Sequence, residues 1–171
     1  GPQPLQTSWY DVGLDVTGKH ISGLLLIKNM PDSSDRVVFT NEAGVKFLDF
    51  EWKNNGDFTV HHVISQLNKK AVIGLLRKDF ELMIATLFKD AAVSAWKTDK
   101  HIFYGFNQKK ETIYFITGTE CASLLRVESG SKRKRKVSMW YYGENRQQPD
   151  SILLRHHTFA MAIKVKKLAR E

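Results

Sequence analysis

Between residues 60 and 88 the apolar positions recur every three or four residues; almost everywhere else they alternate or form short runs. Ile73, Leu76, Phe80, Met83, Ile84 and Leu87 share one helical face, with Arg77, Lys78 and Glu81 mostly off it. The spacing predicts a longer helix from Lys70 to Phe88 and a short one from His62 to Leu67, broken near Asn68, where the period lapses. Gly74 sits inside the longer helix at a cost of about 1 kcal/mol against alanine, which suggests close approach to a strand.

The flanking sequence reads as strands. Before the helices they fall at 9–16, 20–28, 36–41, 45–53 and briefly 58–60; after them, at 101–106, 111–117, 122–127, 137–142, 151–157 and 160–168, with short polar turns between. Leu24 to Ile27 are apolar without alternation, as in a strand buried on both faces. Leu48, Phe50 and Trp52 alternate with Asp49 and Glu51, so one face is apolar and the acidic one is expected in solvent. Residues 90–100 read as a polar connector anchored by Trp96. The expected fold class is α+β: a long curved antiparallel sheet, a half-barrel, with a helical pair across its concave face. Residues 1–8 read as a trimmed or flexible start, without a basic and apolar leader, and 9–171 as a single half-barrel domain. Any signal peptide or lipid-bearing cysteine would lie upstream.

Composition narrows the classes. A chain of 171 residues is one domain's worth and can bury a core without staples. No apolar run approaches the roughly 18 residues of a membrane helix. The single cysteine, Cys121, makes no intramolecular disulfide and reads as a small buried side chain. Of the net charge of +8, five charges come from Lys132, Arg133, Lys134, Arg135 and Lys136, so the basic character is largely one loop.

Two sites follow. Leu76, Phe80, Met83 and Leu87 would form the helical wall of an apolar cavity, with Leu48, Phe50 and Trp52 opposite; the same residues could equally fill a core. A lipid or acyl chain would gain about 0.8 kcal/mol per buried methylene there. The basic run, between predicted strands, reads as a hairpin tip able to meet an anionic membrane surface, with Trp140, Tyr141 and Tyr142 nearby. Nucleic acid is the rival partner for that loop, but no recognition helix, zinc module or RNA-recognition signature accompanies it. His61-His62 and His156-His157 invite a metal, yet strand neighbours point to opposite faces, so each pair offers one imidazole to a common site. Asp49 and Glu51 read as an exposed acidic edge rather than catalytic carboxylates. With no nucleophile motif and no phosphate-cradling loop, neither enzyme activity, metal nor cofactor is expected.

Ser22-Gly23-Leu24-Leu25-Leu26-Ile27-Lys28, Phe47 to Trp52, Leu75 to Ile84, and Pro149 to Leu154 followed by Ala160 to Leu168 carry a resemblance that covers most of the chain. In order and pattern they resemble the opening strand, the following strand, the closing helix and the closing hairpin of the outer-membrane lipoprotein carrier and receptor superfamily. The chain looks most like the cell-envelope lipoproteins of bacteria that share this half-barrel. The resemblance implies acyl-chain binding between sheet and helices, a place at the periplasmic face with a lipid anchor, and an envelope protein as the other candidate partner. Neither the receptor's protruding apolar loop nor the carrier's gating arginine is matched, so no functional residue is carried over.

Overall fold

Among the described residues strands outnumber helices twelve to one. The computed structural model describes residues 8–84, 94–108, 110–119, 124–143 and 150–168. Within them the chain runs β1 (Ser8–Val16), β2 (Lys19–Asn29), β3 (Asp35–Thr40), β4 (Lys46–Trp52), β5 (Phe58–Val63), α1 (Lys70–Ile84), β6 (Ser94–Lys97), β7 (His101–Gln108), β8 (Glu111–Gly118), β9 (Leu124–Ser131), β10 (Lys134–Tyr142), β11 (Ser151–His156) and β12 (Met161–Lys167). All twelve strands join one sheet in the order β5-β4-β3-β2-β1-β12-β11-β10-β9-β8-β7-β6. The chain clusters into two compact units, one built on Ser22–Thr86 (the helix unit) and one on Leu87–Lys166 with Leu14–Ile21 (the meander unit).

In the helix unit the alternation of β4 sets the core. Phe50 pairs with Val37 and Leu48 with Phe39 across β3, and Leu25 and Ile27 of β2 carry the same face onward. All six are buried. α1 lies on this face, with the Phe80 ring 6.2 Å from that of Phe50 at 76°. Its first turn carries no acidic residue. Burial therefore holds it, at about 1.5–3 kcal/mol for each large apolar side chain, rather than favourable charge at its start.

Among the described residues the expected helical pair is one helix. Residues 62–63 end β5 instead of opening a short helix, and 65–67 form a turn. Six residues are too few to offset helix nucleation, whereas Thr59, Val60 and Val63 suit a strand and β4 offers them a ladder. Leu87 and Phe88, expected in the longer helix, lie outside the described residues, as does Cys121. Gly74 allows no close approach, because a Cβ there would meet nothing within 4 Å. Gly23 does: a Cβ would sit 2.0 Å from the Thr40 carbonyl oxygen. Leu24 to Ile27 are not buried on both faces; Leu25 and Ile27 are buried while Leu24 and Leu26 stay half-exposed.

The meander unit is a run of hairpins. Phe115, Val127, Met139, Leu154 and Ile163 pair in register across five strands and form its buried row. Two expectations change here. The predicted polar connector contains β6, which pairs with β7, and Trp96 is no buried anchor but 44% exposed. The basic hairpin is tighter than expected: β9 and β10 extend to Ser131 and Lys134, so only Lys132 and Arg133 form the turn. Gly130 permits that, since a Cβ there would lie 2.3 Å from the Lys134 carbonyl oxygen.

Candidate functional site

The predicted cavity residues of the helix unit do come together. Leu48, Phe50 and Leu76 are 0% exposed, Phe80 1%, Met83 2% and Trp52 6%. Phe58 joins them, its ring 5.2 Å from Phe50 and 5.1 Å from Trp52. Leu87, the seventh expected member, lies outside the described residues.

A polar clasp borders this apolar cluster. The indole N–H of Trp52 donates to Glu81 Oε1 at 2.9 Å, and Arg77 Nε donates to the same oxygen at 3.0 Å. The Arg77 guanidinium also lies 4.6 Å from the centre of the Phe58 ring. One carboxylate oxygen thus ties α1 to β4. Sequence periodicity placed Glu81 off the apolar face and gave no hint of the indole. It also passed over Asp79, which is buried as completely as Leu76. The signal was available: Leu76, Asp79, Phe80 and Met83 share the three-and-four spacing of one helix face.

The opposite face of the same strands carries charge, and it is not the exposed acidic edge expected. Asp49 is 1% exposed. Arg36 donates to both its oxygens, at 2.8 and 2.9 Å, and Lys46 Nζ lies 2.8 Å from Oδ2. Burial pushes the Asp49 carboxyl up, but the bonds from Arg36 and Lys46 outweigh burial and hold it below the usual carboxylate range. Glu51 is lowered as well, chiefly by its hydrogen bond with His61 at 2.9 Å.

The histidines are placed differently from the strand rule. A bulge in the β4–β5 ladder sets Val60 opposite Phe50 and His62 opposite Asp49, so His61 is the extra residue and reaches Glu51 on the charged face. His62 bonds the Lys46 carbonyl at 3.1 Å. In the second pair His156 is buried, and His157 Nε2 lies 2.7 Å from the Ser138 hydroxyl. Ser138 in turn donates to Glu128, and being fully buried it is a structural link, not a nucleophile. Among the described residues no group of three or more His, Cys, Asp or Glu side chains could hold a metal ion.

The basic run divides by partner. Lys136 Nζ pairs with Glu111 at 3.0 Å, and Arg135 Nε lies 3.5 Å from Glu128. Lys132, Arg133 and Lys134 are exposed at the hairpin end and, among the described residues, have no ion-pair partner.

No protein-family model matches the chain, and no curated protein matches it in sequence. Solved structures do match. A LolA superfamily protein from Nitrosomonas europaea overlaps with a TM-score of 0.59 at 8% identity, covering 99% of this chain and 89% of that one. A DUF1329 family protein from Desulfovibrio piger gives 0.49 at 8% identity, covering 95% and 84%. A domain named for outer-membrane lipoprotein sorting, from Vibrio parahaemolyticus, gives 0.46 at 7% identity, covering 95% and 82%. The last two overlap too loosely to bear on the fold, and the first, at its low identity, bears on the fold alone. With an antiparallel sheet of twelve strands and one helix among the described residues, the chain resembles that LolA superfamily protein in fold.

Proposed function

We propose that this chain is a non-enzymatic protein of the bacterial cell envelope, at its periplasmic face, that holds a lipid or another apolar ligand between α1 and strands β3 and β4. The observation that carries this reading is how α1 is held. Its apolar face rests on aromatic side chains, its first turn lacks an acidic residue, and the Glu81 clasp is a polar tether to the sheet. The resemblance in fold to lipoprotein carriers supports the same reading.

Leu48, Phe50, Trp52, Leu76, Phe80 and Met83 are the proposed contacts. They are closely packed, so a ligand enters as α1 lifts. Lifting breaks the Trp52–Glu81 hydrogen bond, at about 1 kcal/mol net, and uncovers the apolar face of α1, which an acyl chain covers again at about 0.8 kcal/mol per methylene. Lys132, Arg133 and Lys134 are the tip cations assigned to an anionic surface. The same close packing favours a second reading, an envelope scaffold with a filled core whose partner is a protein.

Uptake of N-phenyl-1-naphthylamine separates the two. The carrier reading expects saturable fluorescence, displaced by long-chain fatty acid, abolished in Phe80→Asp and faster to appear in Glu81→Ala, with far-UV circular dichroism confirming that both variants fold. Absence of uptake by the unaltered protein, or uptake indifferent to Phe80→Asp in a folded sample, supports the scaffold. Native mass spectrometry of protein from its own cells adds a second reading of any retained acyl species.

A further inference from the structure

The face of the meander unit opposite its buried row carries a band of apolar side chains that the proposed ligand site does not use. Register aligns Trp96 with Phe103, Phe103 with Ile116, Ile116 with Arg126, Arg126 with Trp140, Trp140 with Leu153 and Leu153 with Lys164, one residue from each of seven strands. At about 4.8 Å per strand this row is roughly 29 Å long. Trp96 is 44% exposed, Phe103, Trp140 and Leu153 are half-buried, Ile116 is buried beneath its neighbours, and Tyr142 on the neighbouring row is 52% exposed, so the accessible apolar groups lie toward Trp96 and Tyr142.

Cations outnumber acids on this face. Arg155, Lys164 and Lys166 are exposed and, among the described residues, have no ion-pair partner. Two acids on the same face are already engaged, Glu128 by Arg126 at 3.3 Å, by Arg135 and by the Ser138 hydroxyl, and Asp15 of the neighbouring β1 by His20 at 2.7 Å. An anionic partner with an apolar layer beneath its charges fits both properties.

We infer that this face docks flat on an anionic lipid surface, Trp96, Tyr142 and their neighbours entering the headgroup layer while Arg155, Lys164 and Lys166 meet lipid phosphates. Single-stranded nucleic acid, the other anion that seeks aromatic residues, fits less well. Trp96 and Phe103 stack on each other at 5.1 Å and 1°, and Tyr114 packs against Trp96 at 76°, so ring faces that a base would need are engaged by protein. Leu153 and Ile116 offer no stacking surface at all. The inference concerns residues apart from α1 and β4 and stands whether or not a ligand binds there.

The test is co-sedimentation of the full chain with vesicles of 3:1 phosphatidylcholine to phosphatidylglycerol, and with pure phosphatidylcholine. Binding is expected to the anionic vesicles alone, with a blue shift of tryptophan emission that Trp96→Phe diminishes. Arg155→Gln with Lys164→Gln and Lys166→Gln is expected to weaken it by about 100-fold, on the order of fivefold for each of the three cations removed. Tyr142→Ser, at an exposed position, is expected to weaken it without changing the circular dichroism. The inference is overturned if the unaltered chain ignores anionic vesicles, if the face variants bind as it does, if changing Lys132, Arg133 and Lys134 to serine alone abolishes binding, or if a single-stranded oligonucleotide binds equally tightly through the same residues.

Discussion

The two units present opposite solutions to the same problem, a strand face turned away from the apolar core. In the helix unit that face neutralises itself: Arg36 and Lys46 enclose Asp49, and Glu51 holds His61. In the meander unit the corresponding face keeps exposed indole and phenol rings, and three of its cations are without partners among the described residues. A self-paired face has little left to offer another molecule, because desolvating its ion pairs costs more than new contacts return. An aromatic face with unsatisfied positive charge gains by being covered.

The largest effect that bears on this contrast is expected from Arg36→Ala. It leaves a fully buried carboxylate with one lysine, and since Arg36 is itself partly exposed the loss belongs near the low end for a broken buried pair, about 3 kcal/mol by urea denaturation. A change below about 1 kcal/mol would show that the helix unit does not depend on its charged face.

Acid should discriminate next. The carboxyls of Asp49, Glu51 and Asp32 are all held below their ordinary values, Asp32 chiefly by the Ser34 hydroxyl. Their contribution is complete above the unfolded value near 4 and is lost as the pH falls through the folded values. Stability should thus decline below about pH 4, and Asp49→Asn should flatten that decline while lowering stability at neutral pH. A decline of the same slope in Asp49→Asn would remove Asp49 from the account.

Smaller effects are expected on the other face. Trp96→Ala gives up a stacked and an edge-on ring contact, about 1 kcal/mol, and should weaken vesicle binding far more than it weakens the fold. Lys164→Glu should change thermal stability by no more than about 0.5 kcal/mol, since its side chain is exposed and, among the described residues, unpaired. If Lys164→Glu destabilised as much as Arg36→Ala, the distinction between the two faces would fail.

Much of this fold is legible as periodicity. The alternation of β4 and the three-and-four spacing of Leu76, Phe80 and Met83 are local patterns, and they place those residues where the structure has them. What escaped was whatever a neighbour decided. β6 is four residues long and polar at both ends, so its strand character comes from pairing with β7 rather than from pattern. Residues 62–63 became strand because β4 had an edge to offer them, and the bulge at His61 sets His62 opposite Asp49, on the charged face, against the simple alternation. The basic residues of β10 looked like loop, since charge in a run suggests solvent; they are strand because they pair with β9, and at a bulge there the consecutive Arg135 and Lys136 reach Glu128 and Glu111.

The order of the chain alone determined that strands would predominate, that one amphipathic helix from Lys70 would cover an apolar strand face, and that Leu48, Phe50 and Trp52 would be on that face. These follow from spacing along a backbone whose two periods are set by local geometry. Only the tertiary structure decided that Asp49 is enclosed by Arg36 and Lys46, that Glu81 ties the helix to Trp52, and that Trp96 stands exposed at one end of a row shared by seven strands. Each of those depends on residues far apart in sequence meeting across a ladder or an interface, and spacing along the chain carries no record of which strand lies beside which.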